Sequence, residues 1–116
     1  MDNGQVTSLL ADWFAELDDI EFTCLDYERW LTFRDLRKFV RKLKRIAHKL
    51  ADLAVREGIF CSSLTRVDEE LKKLETMLKT CRDPYLLRLV VAQVAIVMKY
   101  ATLDLVIRLG LKRLGV

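Results

Sequence analysis

The stretch FRDLRKFVRKLKRIAHKL, Phe33 to Leu50, decides the fold. Leu36, Val40, Leu43, Ala47, Leu50 and Ala54 recur at steps of 4, 3, 4, 3 and 4, and Phe39, Ile46 and Leu53 widen that stripe. Such spacing puts the apolar side chains on one face of a helix and nothing coherent on a strand. Just upstream, TFRD offers Thr32 as N-cap with Asp35 three positions on, a reciprocal pair that satisfies two orphan backbone donors. Gly58 is placed to end the helix in the left-handed conformation. The spacing predicts a helix of about 25 residues, roughly 37 Å at 1.5 Å per residue.

Similar patterns lie on both sides. Val6, Leu9, Leu10, Trp13, Phe14 and Leu17 mark an amphipathic helix over about 5–18. DDIEFTCLDYE then breaks the period, so 19–31 reads as an irregular connector in which Tyr27, Trp30 and Leu31 form one short turn and the aromatics act as anchors. Downstream, TRVD gives Thr65 and Asp68 as a second cap pair, and Val67, Leu71, Leu74, Leu78 and Cys81 predict a helix over about 66–82. Asp83 and Pro84 then supply an N-cap and a first helical residue whose missing N–H costs nothing. The final helix follows at once, making a tight antiparallel hairpin with its predecessor. It is apolar nearly all round, with Arg88, Gln93, Lys99, Asp104 and Arg108 scattered over different faces. Such a helix needs cover on most sides, so it is the central rod, and part of its length calls for a second subunit. VVAQVAIV also suits a strand, but no other segment supplies a sheet for it.

The expected architecture is all-α: one domain over 1–116, an antiparallel bundle of about four helices, with a long basic second helix and a long apolar C-terminal helix. Composition agrees, since 52% hydrophobic and 32% charged residues with four Gly and one Pro fit neither a disordered chain nor a turn-rich β fold. MDNGQVTSLL carries no positive n-region and soon meets Asp12 and Glu16, which argues against a secretory or transit segment and for a cytoplasmic protein. LVVAQVAIVM is uncharged for only ten residues, whereas a bilayer span takes about 20. One Asn and two Gln hint at a thermophilic source. In that setting the intracellular thiols Cys24, Cys61 and Cys81 need not stay reduced. The antiparallel order of helices two and three puts Cys24 near Cys81 and Cys61 at the far end, so Cys24 to Cys81 is the expected bridge wherever disulfides persist.

Charge is the lead to function. Residues 1–33 hold eight acids and one base, for −7, and residues 34–49 hold eight bases and one acid, for +7, within a chain of net charge +3. Arg34, Arg37, Lys38, Arg41, Lys42, Lys44, Arg45 and Lys49 occupy the complement of the second helix's apolar stripe and so form one ridge. Such a ridge suits nucleic-acid phosphates, which attract Lys and Arg through counterion release without a sequence code. Two other readings stand beside it. The acidic first helix and connector lie over the ridge, or the ridge is a solvated face; alternatively, the acidic segment meets the ridge of a neighbouring copy.

RKLKRIAH sets Arg41 and His48 seven apart on one helix face, with Lys42 following the Arg. This spacing resembles the nuclease motif of HEPN-type helical ribonucleases, in which Arg and His from paired subunits act on the RNA backbone; the resemblance covers eight residues and implies a metal-independent ribonuclease. No other catalytic constellation accompanies it. No spacing pairs two carboxylates on an apolar face, no Gly-rich phosphate loop exists, and Ser8, Ser62 and Ser63 sit where helices start. Trp13, Trp30 and the Phe residues read as packing rather than base stacking. The cysteine spacings match no zinc pattern. The leading expectation is therefore a non-enzymatic basic helical protein contacting nucleic-acid backbone, a homo-oligomer or part of a larger complex, with no cofactor, metal, small-molecule substrate or membrane partner. The alternative is a protein interaction or structural subunit with no nucleic-acid role.

Overall fold

The computed structural model describes residues 3–115, in which four helices follow one another: α1 (Asn3–Leu25), α2 (Phe33–Glu57), α3 (Ser62–Thr80) and α4 (Pro84–Arg113). The protein is an all-α helical bundle. α4, about 45 Å long at 1.5 Å per residue, packs against all three other helices, while α1 and α3 do not approach one another among the described residues. α1 and α3 therefore flank α4, and α2 lies beneath it between them. Contacts set the directions: Arg88 near the start of α4 meets Cys24 at the end of α1, and Cys61 before α3 meets Asp104 late in α4. Both flanking helices run antiparallel to α4. The result is a slab of 49 × 24 × 18 Å.

α2 forms as its sequence dictates. Asp35 Oδ2 accepts from the Thr32 N–H at 2.9 Å, and Thr32 Oγ1 accepts from the Asp35 N–H at 3.2 Å, the two halves of a capping box. At the other end Gly58 takes φ 64°, open to glycine at little steric cost, and its N–H returns to the Ala54 and Val55 carbonyls. Leu36, Val40, Leu43, Ile46, Leu50, Leu53 and Ala54 are buried below.

Two boundaries differ from expectation. α1 runs to Leu25, because Ile20 and Cys24 continue the Trp13 and Leu17 row into the core while the acids of DDIEFTC fall on outer faces. α3 begins at Ser62 with Cys61 in the cap position, not at Thr65, and ends at Thr80. Cys61 makes no side-chain cap; instead its thiol and the Ser63 hydroxyl both donate to Asp104 Oδ2, at 2.8 and 2.9 Å, so α4 holds that end from outside.

The connector 26–32 is anchored by Leu31 and by Arg88, not by its aromatics: Tyr27 and Trp30 are exposed, Trp30 to 74%. Phe22 and Phe60 are exposed as well, whereas Trp13 packs in the core as expected. Arg88 is 4% exposed, and its guanidinium donates to the carbonyls of Cys24 at 3.1 Å, Arg29 at 2.7 Å and Asp26. A cation there satisfies carbonyls that the α1 C-terminus leaves orphaned and sits at the negative end of the helix dipole. The other polar residues of α4 also pin neighbours. Lys99 binds Asp18 at 2.6 Å and Glu21 at 2.9 Å on α1, with its ammonium 5.1 Å from the Phe14 ring centre.

α4 is long and apolar enough to cross a membrane by length and composition, beyond the ten uncharged residues read from its middle. In the bundle its Leu87, Val91, Val94, Met98, Ala101, Leu105 and Leu109 are buried against the other helices. Its outer side is uncovered. Tyr85, Leu89, Tyr100, Leu103, Ile107 and Leu111 are exposed along one line, with half-buried Ile96 and the polar Gln93 among them.

All three cysteines are free thiols. Cys24 and Cys81 do lie at one end of the bundle and Cys61 at the other, but the expected Cys24 to Cys81 bridge is not formed. Cys24 faces the core from α1, and the Cys81 thiol donates to the Asp83 carbonyl at 3.5 Å.

Candidate nucleic-acid interface

At about 100° per residue, the eight bases of α2 cover an arc of roughly 160° opposite the buried stripe. Arg34, Arg37, Lys38, Arg41, Lys42, Lys44, Arg45 and Lys49 are all exposed, as the periodicity requires. From Arg34 to Lys49 the ridge is about 22 Å long at 1.5 Å per residue.

The acidic first helix covers little of it. Glu16 reaches Arg45 at 2.8 Å, and Glu75 of α3 reaches Lys44 at 3.1 Å. Arg34, Arg37, Lys38, Arg41, Lys42 and Lys49 make no ion pair among the described residues. Two other acids of α1 turn elsewhere, since Asp18 and Glu21 both reach Lys99 of α4. Asp35, the one acid within the ridge, is occupied by its own cap. The Thr32 backbone and side-chain hydrogen bonds hold its carboxyl below the usual aspartate value, with Lys38 and Arg29 adding to the effect.

Several neighbours of the ridge escaped the sequence reading. Arg56 continues the row of Lys49 one heptad on and is exposed; the i+7 spacing was legible, but Asp52 between them masked it. Arg29 is exposed just before the helix. Beside it Tyr27, Trp30 and Tyr85 gather around Arg88, whose guanidinium carbon lies 5.9 Å from the Tyr27 ring centre, while Trp30 and Tyr85 line one shallow depression with Pro84. No periodicity announced that cluster, because its members come from a loop and from the start of a distant helix.

Arg41 and His48 project from the same exposed side of α2, and His48 Nε2 lies 3.7 Å from Asp52 Oδ2. His48 stands on the rim of a groove between α2 and α3 with an apolar floor of Ala47, Ala51, Val67 and Leu71 and with Lys44, Asp68, Lys72 and Glu75 around it. At the other end of the bundle, Cys61, Ser63 and Arg108 converge on Asp104. Burial, followed by the hydrogen bond to Asp104, pushes the Cys61 thiol up, and the donors around Asp104 hold its carboxyl down. A thiol that holds its proton is a poor nucleophile, so this cluster is a helix fastener. Among the described residues no group of three or more His, Cys, Asp or Glu side chains is placed to hold a metal ion. No protein-family model, curated protein or solved structure matches the chain.

Proposed function

We propose that this protein is a non-enzymatic, oligomeric subunit that binds the phosphate backbone of nucleic acid through the α2 ridge, without reading bases. The observation that supports this is the set of six exposed cations, Arg34, Arg37, Lys38, Arg41, Lys42 and Lys49, left without acidic partners on one 22 Å face by a chain that holds eight acids in its first 33 residues. A solvated face meant only for solubility would intersperse both signs. A single-signed ridge concentrates counterions that phosphates release on contact.

Titration of binding against salt tests it. Six neutralised phosphates predict a slope of log affinity against log salt of about −5 on duplex DNA, at −0.9 per phosphate. Lys38→Glu with Arg41→Glu should abolish binding while leaving helicity and unfolding unchanged, because both side chains are exposed and unpaired. Affinity that ignores salt, or that survives the double substitution, rejects the reading. In that case the uncovered side of α4 favours the second reading, a protein interaction module with no nucleic-acid role.

A further inference from the structure

Two faces of the slab oppose one another. α2 lies beneath α4, so the basic ridge and the uncovered α4 stripe point in opposite directions. Along the stripe six apolar side chains, Tyr85, Leu89, Tyr100, Leu103, Ile107 and Leu111, are 42 to 68% exposed. At on the order of 100 Å² each they present about 600 Å². That is the upper end of the range for the largest apolar patch of an ordinary monomer, about 300–600 Å², and three quarters of the about 800 Å² that one partner of a specific protein interface buries.

We propose that two copies of this chain join through the α4 stripe, and that the resulting dimer bridges two separate nucleic-acid segments, one on each outward ridge. The bridging half rests on the backbone-binding reading above. A second copy fits the stripe for three reasons. From Tyr85 to Leu111 the stripe positions, the polar Gln93 and half-buried Ile96 included, recur every three or four residues, so a two-fold operation lays the stripe on itself. Its edges are complementary: on one side Asp18 and Glu21 of α1 share the single cation Lys99 and leave that edge net negative, and on the other α3 presents Arg66 beside Ile96 and Tyr100. A two-fold along the stripe sets acid over base. Finally, a lipid surface would draw the main cation cluster to the edges of the apolar stripe to meet anionic headgroups, and here that cluster, the α2 ridge, faces away from it.

The geometry then separates the ridges. With helix axes about 8–10 Å apart at each contact, the two α2 axes lie roughly 25–30 Å from each other with their cations outward. One straight duplex does not reach both.

Sedimentation equilibrium and a bead assay test the proposal together. Immobilised unlabelled duplex, protein, and a second, fluorescent duplex are mixed, and capture of the second is read. The wild type should sediment at twice 13.5 kDa and capture it. Tyr100→Glu with Ile107→Glu should sediment as a monomer, keep the salt slope on single duplexes, and lose capture by roughly a hundredfold. Tyr85→Lys with Leu103→Lys is a second pair, chosen in case the first perturbs folding, with the same result expected. A wild type that stays monomeric at its highest soluble concentration overturns the proposal, as does undiminished capture by a monomeric variant. Failure of the backbone-binding reading looks different: no salt-dependent binding by any form, while sedimentation still decides the dimer.

Discussion

The Nε of Arg88 donates to the carbonyl oxygen of Cys24 at 3.1 Å across a separation of 64 residues, tying the end of α1 to the start of α4. With the Asp26 and Arg29 carbonyls it makes three charge-assisted bonds from a buried site. Arg88→Leu should therefore destabilise the fold by about 3–5 kcal/mol in urea unfolding, because it strands carbonyls away from water. Arg88→Lys should recover only part of that, since an ammonium lacks the planar fork. An effect below about 1 kcal/mol would mean that water replaces the guanidinium without cost.

The two tryptophans should separate cleanly. Trp13 is in the core and Trp30 is on the surface. Trp13→Ala should cost about 3–5 kcal/mol, and Trp30→Ala no more than about 0.5 kcal/mol. Acrylamide should quench the Trp30 emission first, and equal quenching of both would contradict the burial.

Cys24 ties stability to high pH. Burial raises its thiol to about 11, from 9.0. A folded pKa above the unfolded one keeps its stabilisation below pH 9 and loses it as pH climbs toward 11, by on the order of 2 kcal/mol. Cys24→Ala should lower stability near neutrality through the lost packing but flatten the decline above pH 9. Parallel curves for the two proteins would remove the linkage. Under native conditions alkylation should reach half-buried Cys81 before buried Cys24 and Cys61.

Gly58 needs its positive φ of 64° and nothing else, for a Cβ there would meet no atom within 4 Å. Gly58→Ala should cost about 1 kcal/mol from backbone conformation alone, and Gly58→Asn less, since Asn tolerates the left-handed region. Thermal melts of the two variants give the comparison.

The spacing of Arg41 and His48 carries its own test. Incubation with single-stranded RNA in chelator should leave the RNA intact, in keeping with a backbone-binding protein. Cleavage by the wild type that His48→Ala removes without weakening binding would instead establish the ribonuclease reading.

The bundle was legible because its signals are local. The α2 caps at Thr32, Asp35 and Gly58 and the start of α4 at Asp83 and Pro84 depend on backbone groups a few residues away, and the apolar spacing needs only the helical period. The same period placed all eight cations of the ridge on the outside. What sequence could not decide is where each charged or aromatic side chain finds its partner, because that depends on packing between distant segments. The acids of α1 looked as suited to the ridge as to any other base, yet helix placement gives Asp18 and Glu21 to Lys99 and only Glu16 to Arg45. α3 starts at Ser62, where Cys61 and Ser63 donate to Asp104 of the distant α4, upstream of the cap pair that Thr65 and Asp68 offer in the sequence. A helix apolar on all sides carries no mark of which side its neighbours leave open. In α4 that side is set by the separation of α1 and α3, which is a fact of the assembled core alone.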